Sequence, residues 1–243
     1  MTATSFSLST GIDRSAAART FAERGRVRVT DALEPSSAEA LHDCMLRDVP
    51  WKLAYNRGAQ AIVVDTPELR SLAPAKAQEL NRTIVQGARH GFQYAYYSYP
   101  MVTAYLRQQD PGLLLHRLLE WLATPEVLDV VRAITGIPEL VKCDAQATCY
   151  LPGHFLTRHD DGGTGSEGRR VGYVLNLARR WQPDWGGQLQ FLAPPDGAEV
   201  VECWTPRFNT LALFRVPVLH AVSCVAPFAA EPRFAVTGWF RDR

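Results

Sequence analysis

Residues 157–163, "TRHDDGG", place a histidine beside two aspartates immediately before a glycine-rich segment. In a β-strand, residues i and i+2 project from the same face, so His159 and Asp161 can converge on one ion while Asp160 points away. The stretch is therefore either a polar loop or part of a metal site in which the outer aspartate is the ligand.

A third metal ligand has to come from elsewhere in the chain, and the other histidines are the candidates. His42 and His116 lie in sequences with a helical pattern, His90 lies at a predicted helix end, and His154 belongs to the strand that leads into the motif. His220, in "VPVLHAVSCV", is the best remaining choice, although a histidine in such a segment is more often a core residue satisfied by hydrogen bonds. Two histidines and one carboxylate form the facial triad of non-haem Fe(II) oxygenases, which leaves coordination positions open.

An arginine thirteen residues after His220 points to a second ligand. Arg233 opens the apolar segment "RFAVTGWF", in which Thr237 is four positions further on and therefore faces the same way in a strand. A cation buried in such a strand needs an anionic partner, and the segment contains none. A bound dicarboxylate would supply that partner.

Composition bounds the class of protein. The chain has 243 residues, of which 47% are hydrophobic, so it can bury a substantial core. Its 26 Lys and Arg residues nearly balance its 25 Asp and Glu residues, which argues against nucleic acid or an anionic membrane as a partner. The N-terminal "MTATSFSLSTGIDRSAAART" lacks a signal-peptide pattern, and no apolar run reaches membrane-spanning length. Five scattered cysteines favour reduced thiols, and we expect a cytoplasmic protein.

The sequence pattern changes after Gly136. Short extended segments follow one another between Gly, Pro and Asp residues: "KCDAQATCYL", "HFLTRHD", "RRVGYVLNLA", "GGQLQFL", "AEVVECW", "TLALFRV", "HAVSCVA" and "RFAVTGWF". This pattern predicts an antiparallel barrel or jelly roll. We expect a mainly β protein in which a helical and mixed region, residues 1–136, supports a β core, residues 137–243, within one integrated domain.

The N-terminal region mixes helical and extended signals. Ser36 with Glu39 makes a capping-box pattern, and Thr66 and Thr124 each precede a proline and an acidic residue, so we expect all three sites to open helices. Gly136 should close the helix that starts after Thr124. Three segments are rich in strand-forming residues: "RVRVT", "AIVVD" and "FQYAYYSY".

The chain resembles the 2-oxoglutarate- and Fe(II)-dependent oxygenases, and within them the prolyl hydroxylase branch. The resemblance rests on the order of the motifs: HxD, a long gap, His220, and then Arg233 followed by "WF". The resemblance covers roughly residues 143–243 and includes "CYLPGHFLTRHDD", "EGRRVGYVLNLARRW", "WGGQLQFL", "FNTLALFRV" and "LHAVSCV" in the order of that branch's strands. The ribosomal-protein prolyl hydroxylases are similar around "HDD", "GRR" and the paired glycines. The resemblance implies a double-stranded β-helix (jelly roll) that uses Fe(II), 2-oxoglutarate and O₂.

The resemblance also implies roles for particular residues. His159, Asp161 and His220 would be the iron ligands, and no other catalytic residue is implied. Arg233 would pair with the distal carboxylate of 2-oxoglutarate, and the hydroxyl of Thr237 would contact the same carboxylate.

Further residues of the cosubstrate and substrate pockets are also implied. Tyr150 matches a tyrosine that lines the cosubstrate pocket, whereas Asn176 stands where related prolyl hydroxylases often carry a tyrosine; its amide can still donate a hydrogen bond. Arg170, Tyr94 and Tyr96 could contact substrate, although a solvated basic edge and ordinary strand packing are the alternatives. The glycine-rich "DDGGTGSEGRR" could form a flap over the metal.

The activity implied is hydroxylation of a prolyl residue in a protein or peptide, with release of succinate and CO₂. Hydroxylation of free proline, another amino acid or a small metabolite is the main alternative. A jelly-roll module that binds metal without catalysis is a third alternative, which gives no reason for an open metal face beside a buried cation.

Overall fold

The computed structural model describes residues 6–162 and 168–243. Seven α-helices lie in this part of the chain: α1 (Arg14–Arg24), α2 (Pro35–Arg47), α3 (Thr66–Ser71), α4 (Pro74–His90), α5 (Met101–Leu106), α6 (Leu114–Leu122) and α7 (Pro125–Thr135). The strands are β1 (Arg26–Thr30), β2 (Lys52–Arg57), β3 (Gln60–Asp65), β4 (Tyr94–Tyr99), β5 (Lys142–Cys143), β6 (Gln146–Tyr150), β7 (Phe155–His159), β8 (Arg169–Asn176), β9 (Leu189–Leu192), β10 (Val200–Trp204), β11 (Thr210–Arg215), β12 (His220–Val222) and β13 (Arg233–Arg241). Within the described ranges, no helix is long and apolar enough to cross a bilayer.

All thirteen strands join one antiparallel sheet. Its main order is β1-β11-β8-β13-β6-β4-β7-β12-β9-β10, with β2, β3 and β5 attached at its sides. The sheet curls into the predicted jelly roll, and every segment predicted as a strand after Gly136 contributes at least one strand. The N-terminal region also contributes strands to this sheet: β1 pairs with β11, and β4 lies between β6 and β7.

The helices cover one face of this sheet. In α6 the buried leucines Leu115, Leu118, Leu119 and Leu122 follow helical periodicity, so one stripe of the helix packs inward. This stripe shares a core with Val171 of β8, and α7 contributes further apolar residues to it. Alternate residues of the same strands point to the opposite, concave face, where the functional residues described below lie.

Helix boundaries are where local sequence signals were least reliable. The capping box predicted at Ser36 is wrong, because α2 begins at Pro35 and its N-cap is Glu34, two residues before Ser36. Helix α7 does begin after Thr124, but the Thr124 hydroxyl donates to the Trp121 carbonyl at 2.7 Å instead of capping the helix. Thr66 lies inside α3. Gly136 ends α7 in the left-handed conformation, as predicted.

Candidate metal centre and anion pocket

The two histidines of the predicted triad come from neighbouring strands. His159 is the last residue of β7 and His220 is the first of β12, and the antiparallel register places them directly opposite each other. Asp161 completes the cluster: its Oδ1 lies 3.4 Å from Nε2 of His159 and its Oδ2 lies 3.4 Å from Nε2 of His220. One ligand atom from each residue therefore lies within 4.8 Å of the others.

Asp161 reaches this position by a different route from the one that the sequence suggested. Strand β7 ends at His159, and Asp161 has φ of 60° in the left-handed region, so the strand-face argument is wrong in its reason. The chain turns instead, and Asp160 helps to form that turn by accepting a hydrogen bond from the Gly162 amide at 3.0 Å. Asp160 is exposed, as expected, and Asp161 faces the histidines. Aspartate is among the few residues that adopt this conformation readily.

Backbone carbonyls orient both imidazoles. Nδ1 of His159 lies 3.0 Å from the carbonyl of Thr157, and Nδ1 of His220 lies 2.8 Å from the carbonyl of Val218. Because a carbonyl only accepts, each Nδ1 carries the hydrogen and each Nε2 is left with a lone pair for a metal. Burial, together with the neighbouring His159, lowers the pKa of His220 to about 4, so its imidazole is neutral at physiological pH.

Asp161 is held by a residue that the sequence analysis did not single out. The indole Nε1 of Trp239 donates to Oδ2 of Asp161 at 3.0 Å. The Arg169 guanidinium stacks over the Trp239 ring at 3.8 Å. The sequence did contain a signal for this residue. Trp239 is six positions after Arg233 and two after Thr237, and residues separated by an even number of positions share one face of a strand.

Arg233 is a buried cation for which the described residues supply no anionic partner. It is only 2% exposed, its guanidinium lies 4.9 Å from the centroid of the Tyr150 ring, and its Nε makes no hydrogen bond. Within residues 6–162 and 168–243 no carboxylate forms an ion pair with it. Burial lowers the pKa of Arg233, although an arginine stays charged. An uncompensated buried charge is costly, so this arrangement indicates a bound anion.

One cavity of about 200 Å³ connects the two features. The triad and Arg233 both line it, together with Thr237 and Tyr150. The metal cluster and the unpaired cation are therefore parts of a single site.

An aromatic wall, defined here as Phe92, Tyr94 and Tyr96, lines the same cavity. The Phe92 ring lies 5.3 Å from that of His159 and 5.7 Å from that of Tyr94, and Tyr94 lies 5.3 Å from Tyr96. Tyr96 in turn stacks on Tyr150 at 4.9 Å. Phe92 remains 49% exposed, so the wall begins at the surface and ends beside the Arg233 pocket.

Comparison with known proteins agrees with this arrangement. The family model described as the 2OG-Fe(II) oxygenase superfamily matches residues 145–241. The matched segment, which is less than half of the chain, is similar to that superfamily. It contains all three residues of the triad and Arg233, which line the cavity.

The proteins to which this chain is similar include named prolyl hydroxylases. Prolyl 3-hydroxylase OGFOD1 of Mus musculus is 31% identical over 112 residues, which covers 44% of this chain but only 20% of that protein. A solved prolyl-4-hydroxylase of Pseudomonas putida aligns with a TM-score of 0.59 and 23% identity, covering 95% of this chain and 99% of that one. A prolyl hydroxylase of Trichoplax adhaerens, solved with a hypoxia inducible factor peptide fragment, aligns with a TM-score of 0.58 and 18% identity, covering 94% of this chain and 89% of that one. At these identities the solved structures confirm the jelly-roll fold.

The residues in the matched segment, 145–241, fit the iron and the 2-oxoglutarate that the family description names. Two imidazole nitrogens and one carboxylate that converge on a cavity suit Fe(II), because imidazole and carboxylate are its usual protein ligands. The unpaired Arg233 suits the far carboxylate of a dicarboxylic acid, to which an arginine can donate two parallel hydrogen bonds.

Two predicted site residues lie elsewhere. Asn176 is buried two positions beyond Val174 on the same face of β8, and its Oδ1 accepts no hydrogen bond, but it is not among the cavity-lining residues. Arg170 does not line the cavity either; it pairs with Asp242 at 2.8 Å. Roles for both residues remain predictions. The predicted flap spans residues 160–170, of which residues 163–167 lie outside the described residues.

Proposed function

We propose that this protein is an Fe(II)- and 2-oxoglutarate-dependent dioxygenase that hydroxylates a prolyl residue in a protein or peptide and releases succinate and CO₂. The observation that carries the proposal is the cavity in which the His159, Asp161 and His220 cluster and the unpaired Arg233 meet. A purely structural metal site gives no reason for an unpaired buried cation beside it.

Each part of the cavity has a task in the proposed reaction. His159, Asp161 and His220 would hold the iron, and the carbonyls that accept from the two Nδ1 atoms would fix the imidazole planes. When bound, iron, 2-oxoglutarate and O₂ together would supply an oxidant that inserts one oxygen atom into a substrate C–H bond. Arg233 would anchor the far carboxylate of 2-oxoglutarate. The buried walls would exclude water from the reacting atoms.

The charges of the cavity favour a peptide over a free amino acid as substrate. Among the described lining residues, His159, Asp161, His220 and Arg233 are the only ones with a basic or acidic side chain other than the tyrosines. Once the metal and 2-oxoglutarate occupy these four, no counter-ion remains for the ammonium and carboxylate of a free amino acid. Burying such charges unpaired is costly, whereas a residue within a peptide carries neither.

The aromatic wall supports a prolyl side chain as the reacting group. Phe92, Tyr94 and Tyr96 offer aromatic faces beside the metal cluster, and a pyrrolidine ring has apolar surface to pack on them. The prolyl hydroxylases among the relatives agree with this choice. The five free cysteines suit a reducing compartment, so we retain the cytoplasm as the proposed location.

Succinate release tests the proposed function. The protein is incubated with Fe(II), 2-oxoglutarate and either proline-containing peptides and proteins from the same cell or free L-proline. We expect the peptides to stimulate succinate formation more and to gain about one oxygen, ~16 Da, by mass spectrometry. Asp161→Ala serves as the inactive control. Stimulation by free proline or a small metabolite alone would favour the small-molecule alternative, and metal binding without any turnover would favour a non-catalytic module.

A further inference from the structure

Gly187 lies directly against the stem of Arg233. It follows the short 3₁₀ turn at Pro183–Trp185 and has φ of 61°. A Cβ atom added to Gly187 would lie 3.1 Å from Cδ of Arg233, 3.0 Å from Cζ2 of Trp181 and 3.2 Å from Cγ2 of Val225. All three distances are shorter than an ordinary carbon–carbon contact of about 3.5–4.0 Å. The space that a side chain would need is therefore already filled.

The backbone at Gly187 is not free to move away from Arg233. Its amide donates to the carbonyl of Ser223 at 3.2 Å. The preceding residue is held even more tightly, because a Cβ on Gly186 would stand 2.0 Å from the carbonyl oxygen of Cys224. A side chain introduced at position 187 would push on its neighbours instead of being carried outward.

Packing is what determines the position of Arg233 in the described structure. Among residues 6–162 and 168–243, its guanidinium finds no ion pair, its Nε finds no hydrogen bond, and its guanidinium lies over the Tyr150 ring. The stem passes Gly187 on the way to that ring. A side chain held by contacts alone follows any shift in the surface it packs on.

We propose that Gly187 is a positioning residue for Arg233: the missing side chain leaves the volume that the arginine stem occupies and thereby aims the guanidinium at the dicarboxylate. This inference rests on the proposed function and deepens it by naming a residue, outside the metal cluster and the cavity lining, that sets the affinity for 2-oxoglutarate. Gly187→Ala should displace the stem of Arg233 by a few tenths of an ångström. We expect the affinity for 2-oxoglutarate to fall about tenfold, because small misplacements of a binding group are costly.

Gly58 provides a matched control. It has the same φ of 61°, but nothing lies within 4 Å of a Cβ built on it. Gly58→Ala therefore carries the same left-handed backbone strain without contacting Arg233. The affinities of both variants and the wild type for 2-oxoglutarate are measured by calorimetry on the Mn(II)-loaded 243-residue chain. Mn(II) affinity and urea unfolding are measured in parallel. We expect both variants to lose stability and only Gly187→Ala to lose 2-oxoglutarate affinity, with Mn(II) binding unchanged.

A double-mutant cycle shows whether the effect passes through Arg233. In an Arg233→Ala background, Gly187→Ala should weaken 2-oxoglutarate binding no further, since the group that it displaces is already gone. If Gly187→Ala does not fold, Gly187→Ala combined with Val225→Ala removes one of the crowding methyls and is compared with Val225→Ala alone.

The outcomes separate this inference from the proposed function. Wild-type binding that Arg233→Ala abolishes, with Gly187→Ala no weaker than Gly58→Ala, would overturn the role of Gly187 and leave the dioxygenase proposal intact. Equal 2-oxoglutarate binding by the wild type and Arg233→Ala, or none by either, would overturn the proposed function itself.

Discussion

Asp160 and Asp161 are adjacent and chemically identical, yet only one faces the histidines. Asp161 places both carboxylate oxygens 3.4 Å from imidazole nitrogens, whereas Asp160 uses an oxygen to accept from the Gly162 amide. The turn after β7, more than the residue type, separates a proposed ligand from a turn-forming residue.

This difference predicts opposite outcomes for two alanine variants. Asp161→Ala, like His159→Ala or His220→Ala, should abolish metal binding and turnover, because each removes one of only three protein ligands. Asp160→Ala should keep metal affinity within a few-fold of the wild type. Metal titration of the purified variants measures both. Loss of metal in Asp160→Ala with retention in Asp161→Ala would contradict the assignment.

The unpaired Arg233 predicts an unusual stability effect. Replacing a buried core side chain normally destabilises a protein, but Arg233→Met should raise the free energy of unfolding of the ligand-free protein by about 1 kcal/mol or more, because it removes an uncompensated buried charge. Urea unfolding without metal or 2-oxoglutarate is the measurement. In the presence of metal, 2-oxoglutarate should stabilise the wild type and leave Arg233→Met unaffected. A large destabilisation of the ligand-free variant would indicate that Arg233 has a structural partner.

Strand β13 organises the site through its alternation. Arg233, Thr237 and Trp239 all project into the cavity, while Phe234 and Val236 pack into the main core on the opposite face. One continuous strand therefore carries the proposed cosubstrate anchor and the hydrogen-bond donor to Asp161. A slip of one residue in its pairing with β8 would turn both away from the cavity.

Trp239→Phe tests the contribution of that donor. It removes the Nε1 hydrogen bond to Asp161 and keeps an aromatic ring beside Arg169, so we expect metal affinity to fall about 10–100-fold, as for other residues that orient metal ligands. Trp204→Phe is the matched control, because Trp204 donates to the Glu202 carboxylate at 2.8 Å and does not line the cavity. Metal binding by both variants is measured by calorimetry. Equal losses in both would show that the effect is general destabilisation.

One ionisable group outside the cavity, His154, is partly buried next to β7, an inner strand of the sheet. His154 precedes β7, its Nδ1 accepts a hydrogen bond from the Leu151 amide at 3.1 Å, and its ring packs against Tyr97. Burial lowers the pKa of His154 from 6.5 to about 4. The folded protein thus holds this imidazole neutral in a pH range where the unfolded chain protonates it.

The free energy of unfolding should therefore depend on pH through His154. The contribution is fully present above pH 6.5, is lost as the pH falls from 6.5 towards 4 because the unfolded state binds the proton first, and levels off below that. The loss should reach about 3 kcal/mol at most. His154→Asn keeps a neutral acceptor and should remove the pH-dependent contribution of His154 to the free energy of unfolding. The difference between the free energies from wild-type and variant urea curves at several pH values isolates that contribution. Parallel pH profiles for the two proteins would contradict the assignment.

Much of the site could be predicted from the sequence, since the signals are local. Short extended segments separated by Gly, Pro and Asp residues predicted the strands after Gly136. The order of His159, His220 and Arg233 predicted a metal site beside a dicarboxylate site. The curled sheet and the similar solved structures confirm the predicted fold, and the family-model match agrees with the predicted chemistry. The ligand roles and the cosubstrate roles of Tyr150 and Thr237 remain predictions that the cavity accommodates.

Other features could not be predicted because they depend on contacts between distant parts of the chain. The hydrogen bond from the indole of Trp239 to Asp161 and the insertion of β4 between β6 and β7 both require segments that only the folded sheet brings together. The sequence by itself determined which residue types were available and which face of a strand each could occupy, because side-chain alternation is a property of the local backbone. Only the tertiary structure decided which of them meet and that no carboxylate among the described residues pairs with Arg233, because strand pairing and burial depend on the whole chain.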